Sequence, residues 1–223
     1  MFYTVTKDSR WFKPQVLYDQ IDWRKLDAVV DGFADRVSEW YLKPAEALKA
    51  ASGHFAFGAM ALNCILIDTL SQFHAGSVQS RRSVFKGFVR DYFPDFNQKL
   101  TTPIEHFDAS KQTVVQMVDF ADVLYHAFRC GIVHEAHVAP YGMVHGGFPV
   151  VEFQPSGYTK YAATGLDCPA VLVNPWLLLD QVKAALVRYV ANLKDRDVKF
   201  DELRDRFKHK FTESFGVDIK GAV

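Results

Sequence analysis

The sequence predicts a mainly α-helical protein with one small β-insertion, and three observations lead there. Apolar residues recur at i, i+3, i+4 and i+7 spacing through most of the chain. Helix start and stop residues stand where those runs begin and end: Asp22, Pro44, Gly76, Pro94, Asn174-Pro175 and Gly216. The pattern changes only between Pro140 and Pro175, where short Val- and Tyr-rich runs alternate with turn residues.

In chain order, residues 1–21 keep no period and read as an N-terminal arm packed by Trp11, Phe12 and Tyr18. Residues 22–223 then read as a single helical-bundle domain, with a β-hairpin or three-stranded insertion at 141–173. After Asp22, a candidate N-cap, Leu26, Val29, Val30, Phe33, Val37, Trp40 and Tyr41 mark a first amphipathic helix. Pro44 at a first helical position opens a second, expected to run unbroken to about His74. Its most apolar part, Phe55 to Leu70, is too short for the roughly 18 to 20 residues of a membrane span and reads as a buried core helix. Val84, Phe85, Phe88, Val89 and Tyr92 give a third helix ended by Pro94. Residues 94–110 read as loop, and a fourth helix is expected from Lys111, with Val114, Met117, Val118, Ala121, Tyr125 and Phe128 on its apolar face. Asp119, Asp122, His126 and Arg129 then fall on its opposite, solvated side. Helical period returns after Asn174-Pro175, and a last helix carries Leu203, Phe207, Phe211 and Phe215 up to Gly216.

Charge narrows the function classes. Twenty-six Lys and Arg balance twenty-six Asp and Glu, so nonspecific attraction to nucleic acid or an anionic membrane has no global field behind it. Cys64, Cys130 and Cys168 are odd in number and lack CxxC spacing, which reads as reduced thiols in a cytoplasmic protein. No signal-peptide pattern stands at Met1–Asp8.

One constellation stands out as chemistry. Across the 31 residues from Ala50 to Ser80, Asp68 is the only Asp, Glu, Lys or Arg. A carboxylate in such surroundings needs a partner, because an isolated buried charge is expensive. Arg129 is the expected partner, since its planar fork suits a bidentate contact. His134 follows in Arg129-Cys-Gly-Ile-Val-His134, and imidazole titrates near neutrality. Five residues along a regular helix diverge by about 140°. Arg129 and His134 therefore share a site only if Gly131 breaks the helix or a second copy completes the motif across a two-fold axis.

The segment Phe120-Ala-Asp-Val-Leu-Tyr-His-Ala-Phe-Arg-Cys-Gly-Ile-Val-His134, together with Leu66-Ile-Asp-Thr-Leu-Ser-Gln-Phe73, resembles the HEPN superfamily. Its members are helical bundles with an Arg-x4-6-His motif, many of them metal-independent endoribonucleases of toxin–antitoxin and antiphage-defence systems. The resemblance covers roughly residues 24–135 and the C-terminal helices. It implies that Arg129 and His134 form a catalytic pair supported by Asp68, that RNA is the substrate, and that the working unit is a homodimer across the motif. It further implies an antitoxin or defence-system protein as a possible partner and no cofactor. The residue after the Arg is commonly polar in active members and is Cys130 here. A catalytically silent HEPN module that binds RNA or a protein partner is therefore the alternative.

Arg82, Lys86 and Arg90 form a basic stripe at i+4 steps, the expected RNA-binding surface. His126, Cys130, His134 and His137 offer one thiolate among scattered imidazoles, unlike structural zinc sites, which draw more thiolates from separate knuckles. Asp119 and Asp122 as a Mg²⁺ pair are outweighed by a solvated helix face. No metal is expected, and the chain carries no GxGxxG, GxxxxGK[ST] or GxSxG motif.

Overall fold

The computed structural model describes residues 11–51, 55–108, 112–147, 149–160 and 167–223. It is mainly helical, with three small separate sheets. Helices α1 (Leu26–Val37), α2 (Lys43–Ala50), α3 (Ala56–Ala75) and α4 (Arg82–Tyr92) precede a hairpin of β3 (Lys99–Asp108) and β4 (Thr113–Asp119). Next come α5 (Phe120–Val123) and α6 (Gly131–Glu135), then strands β5 (Gly142–Val144), β6 (Val151–Lys160) and β7 (Asp167–Val173). Helices α7 (Pro175–Lys194) and α8 (Asp201–Phe215) end the chain, and a short antiparallel pair, β1 (Trp11–Lys13) and β2 (Val16–Leu17), opens it.

Helix α3 is the centre. It packs against α2, α4, α7 and α8, burying Met60, Cys64, Leu66, Ile67, Leu70 and Phe73. It is long and apolar enough by length and composition to cross a membrane, but here it serves as a core helix. Buried Asn63 donates from Nδ2 to the carbonyl of Pro175 at 2.7 Å, tying α3 to the start of α7. That start is set as the sequence predicts: Asn174 Oδ1 accepts from the amides of Trp176 (3.0 Å) and Leu177 (3.2 Å), and Pro175 needs no donor. At the far end of α3, Phe33, Phe73, Phe207 and Phe211 form a chain of tilted and edge-on rings. The arm closes this cluster with Phe12, fully buried between Tyr18, Trp23 and Phe215. Trp11 is instead 57% exposed, because β1 turns alternate side chains outward.

Three expectations are corrected. The second helix is two: α2 stops at Ala51, whose ψ of 146° is extended, and α3 starts at Ala56; Ser52-Gly53-His54 between them lie outside the described residues. Pro44 does not separate α1 from α2, because a π-helical stretch at Ser38–Leu42 widens the helix just before it. A wider turn relieves the clash between a proline ring and the carbonyl four residues earlier. The third correction concerns residues 94–119, where loop and helix were expected and β3 pairs antiparallel with β4. Val114 and Val118 fit a helical face and a strand equally well, and the β-branched run Thr113-Val114-Val115 favours the strand. The fourth helix therefore begins at Phe120, capped by Asp119, whose Oδ1 accepts from the amide of Asp122 at 2.8 Å.

The insertion between 141 and 173 is three-stranded in the order β5-β7-β6, with β5 parallel and β6 antiparallel to β7. It follows directly on the helix that carries Arg129 and His134.

Candidate functional site

From Phe120 to Glu135 the chain is one continuous helix of changing pitch: α5, a π-helical stretch at Leu124–Cys130, then α6. An i→i+5 turn rotates less per residue than the 100° or so of an α-helix, so positions five apart swing toward one face. Arg129 Nη1 and His134 Nε2 lie 2.8 Å apart within a single chain. The pair is thus assembled without a helix break and without a second copy, correcting both routes inferred from the sequence. Gly131 keeps helical angles, φ −59° and ψ −50°. Its role is close approach: a Cβ there would stand 2.5 Å from the carbonyl oxygen of His137. The chain doubles back over this point through Ala136 in the left-handed region, φ 54°. The amides of His137 and Ala139 bond the carbonyls of Gly131 (3.3 Å) and Ala127 (3.1 Å).

Arg129 also donates from Nη2 to Asp68 Oδ2 at 3.1 Å, with the two side chains 11% and 13% exposed. Burial alone would lower the Arg129 guanidinium, and the adjoining Asp68 carboxylate overcomes this, holding it above its ordinary value. Asp68 is itself fixed. Ser80 Oγ donates to Oδ1, Gln72 Nε2 donates to Oδ2 at 3.1 Å, and Lys210 Nζ donates to Gln72 Oε1 at 3.0 Å. Sequence reasoning missed these three supports. The 68/72 spacing of one helical turn was a legible signal, whereas the contribution of α8 through Lys210 depends on tertiary packing.

A guanidinium only donates, so in this contact His134 Nε2 stands as the acceptor. His134 is exposed, whereas Arg129 is largely covered, with the Tyr125 ring centroid 5.8 Å from its guanidinium carbon. Val133 is 43% exposed and Ile132 is buried inside the chain. Cys64 lies in the core beneath, and burial pushes its thiol far above the ordinary range, which removes it as a nucleophile. The arrangement therefore sets an exposed imidazole beside a largely covered guanidinium that a carboxylate orients.

The basic stripe takes a different form from the open row expected. Arg82 Nη2 and Lys86 Nζ reach Asp122 Oδ1 at 2.7 and 2.6 Å. Lys86 and Arg90 reach Asp119 Oδ2 at 3.0 and 3.5 Å. Asp122 is fully buried rather than solvated. Burial opposes its ionisation, but hydrogen bonds from Lys86, Arg82 and the Val118 amide hold its carboxyl below the usual range. These five residues, three cations on two carboxylates, form a salt-bridged joint between α4 and the start of α5. Among the described residues, no three His, Cys, Asp or Glu side chains cluster as a metal site. The three cysteines are free thiols, with Cys64 and Cys168 buried.

Comparison with protein-family models, with curated proteins and with solved structures finds no match to this chain.

Proposed function

We propose that this chain is a HEPN-type, metal-independent endoribonuclease of a cytoplasmic toxin or antiphage-defence system. The observation that carries the reading is the line Asp68–Arg129–His134, closed by contacts of 3.1 and 2.8 Å inside one protomer. RNA phosphate entering the site competes for Arg129 Nη1 and frees the Nε2 lone pair of His134. His134 then takes the 2′-hydroxyl proton as the 2′-oxygen attacks the adjacent phosphorus. Arg129 stabilises the charge gathering on the nonbridging oxygens, and Asp68 keeps the guanidinium oriented. The P–O5′ bond breaks, the leaving oxygen takes up a proton, and the products are a 2′,3′-cyclic phosphate and a 5′-hydroxyl end. DNA has no 2′-hydroxyl and is not a substrate.

A single imidazole cannot be base and acid in the same step, so a homodimer across the motif supplies the second group: one His134 takes the 2′-hydroxyl proton, and His134 of the other copy, in its protonated form, gives its proton to the leaving 5′-oxygen. Half-exposed Val133, one residue from His134, then lies at that interface. A monomer by light scattering at micromolar concentration would remove the second group. An antitoxin or another defence protein would act by covering the same face.

A second reading has an observation of its own. Arg129 is almost nine-tenths covered and already paired with Asp68, and Cys130 follows it where active members commonly carry a polar residue. Both features suit a silent module that binds RNA or a protein. Incubating purified protein with total RNA in EDTA separates the two. Cleavage abolished by Arg129→Ala and by His134→Ala supports the enzyme, and intact RNA from the wild-type protein supports the module.

A further inference from the structure

Helix α3 leaves one face open. Ile65, Asp68, Thr69 and Gln72, at i, i+3, i+4 and i+7, are all at least partly exposed. Asp68 ties this face to Arg129 and His134 on one side, and Gln72 ties it to Lys210 of α8 on the other. On the Lys210 side a cavity of about 250 Å³ opens between α3, α8 and the end of α1. Phe33, Phe73 and Phe215 give it an apolar floor, and Thr69 and Ser214 bring hydroxyls to its rim.

Two cations line the cavity, Lys210 and Arg36, and no Asp or Glu does. Lys210 is 8% exposed, and among the described residues its ammonium meets one acceptor, Gln72 Oε1 at 3.0 Å, and no carboxylate at ion-pair distance. An ammonium carries three donors, so two remain for another acceptor. Burial lowers this ammonium below its ordinary value, and Asp68, acting from beyond ion-pair distance and already held by Arg129, does not restore it. Arg36 also meets no carboxylate among the described residues: one amino group donates to the carbonyl of Phe12, and the guanidinium stacks over Trp40, 3.8 Å from its ring centroid. Both cations stand over the floor. Arg36 lies 5.3 Å from the Phe215 ring and Lys210 lies 5.9 Å from the Phe73 ring, and those two rings are neighbours at 6.3 Å. Charges this well covered are ordinarily paired, so two of them on an apolar cavity free of carboxylates call for an anion with a flat apolar body.

We propose that this cavity binds a nucleotide, with its phosphate on Lys210 and Arg36 and its base against the Phe73–Phe215 floor. A phosphate offers several acceptors to the two cations and to the hydroxyls of Thr69 and Ser214, and a base has the flat faces that aromatic rings favour. Residues 68 and 72 are one helical turn apart, about 6 Å along α3, so the nucleotide is one that neighbours the cleaved bond in the RNA strand. That source rests on the endoribonuclease reading, whereas the binding itself does not.

Isothermal titration calorimetry on the full chain carrying His134→Ala, which leaves RNA uncut in this account, tests the proposal with AMP, adenosine and inorganic phosphate as probes at constant ionic strength set with chloride. AMP is expected to bind saturably at one equivalent, and adenosine and inorganic phosphate at least about tenfold more weakly. Lys210→Gln and Arg36→Gln should each weaken AMP by about tenfold or more, whereas Lys199→Gln, at an exposed cation outside the cavity, should leave it unchanged. Ser214→Asp, at an exposed position on the rim, covers the case in which a cation variant fails to fold, and should weaken AMP severalfold by repulsion. A short 2′-O-methyl RNA should displace AMP, and AMP binding undisturbed by that RNA assigns the cavity to a free nucleotide instead. AMP binding together with a wild-type protein that cuts no RNA would remove the enzyme reading and leave this site standing. No saturable AMP binding, equal affinity for adenosine or inorganic phosphate, or binding untouched by these substitutions in folded protein overturns the proposal.

Discussion

Replacing Asp68 with Ala should destabilise the protein by about 3 kcal/mol. Asp68 accepts from Arg129, Ser80 and Gln72, and the ion pair is 11% and 13% exposed. Removing one partner of a buried pair costs about 3 to 5 kcal/mol, because the other charge is left uncompensated. Arg129 lies beside exposed His134 and can turn toward water, which places the cost at the lower end. For a chain of this size each kcal/mol moves Tm by roughly 2 to 4 °C, so thermal unfolding followed by circular dichroism should fall by about 6 to 12 °C. Asp68→Asn keeps an acceptor for Ser80 and should lose about half as much. Adding Arg129→Met to Asp68→Ala should recover part of the loss, with a coupling of at least about 1 kcal/mol. An Asp68→Ala melt within about 2 °C of wild type, or strictly additive effects in the double variant, would refute the buried-pair argument.

Three further outcomes are expected. Gly131→Ala should cost about 1 to 3 kcal/mol in chemical denaturation, because the new Cβ would stand 2.5 Å from the backbone oxygen of His137; an unchanged midpoint would contradict the close approach. Ala136→Gly should raise stability by up to about 1 kcal/mol, since the left-handed φ of 54° strains Ala more than Gly while the added unfolded-state entropy offsets part of the gain. The lowered His74 pKa means the unfolded chain binds the extra proton. Its contribution is therefore present above the unfolded value of about 6.5 and is lost as pH falls through the folded value. His74 faces Asp91 and Arg206, and His74→Phe should flatten the stability profile between pH 7 and pH 5, as urea midpoints would report.

Much of the helical frame and the central contact could be read from residue order, for identifiable reasons. Asn174-Pro175 and Gly216 act through local backbone chemistry, and both mark helix ends as expected. Asp68 announced its need for a cation because its neighbours along the chain are apolar, and Arg129 is the residue it meets. What the sequence hid was pitch. A π turn leaves no period in a window of 16 residues, and reading Phe120–Glu135 at 3.6 residues per turn put Arg129 and His134 on different faces. The β3–β4 hairpin was hidden because valines four apart satisfy both periods, and only pairing across the hairpin decides between them. The salt-bridged joint at Asp119 and Asp122 was misread for a related reason: helical spacing places a side chain on a face but does not say which element will cover that face.

The central claim, that the Arg129–His134 pair drives 2′-hydroxyl attack, is tested most directly on a defined single-stranded RNA in EDTA. The cleaved position is mapped first and then re-synthesised with a 2′-O-methyl group. The account predicts cleavage products ending in a 2′,3′-cyclic phosphate, loss of cutting at the methylated position, and no cutting by His134→Ala. Products ending in a 3′-hydroxyl, or undiminished cleavage at the 2′-O-methyl position, would contradict it.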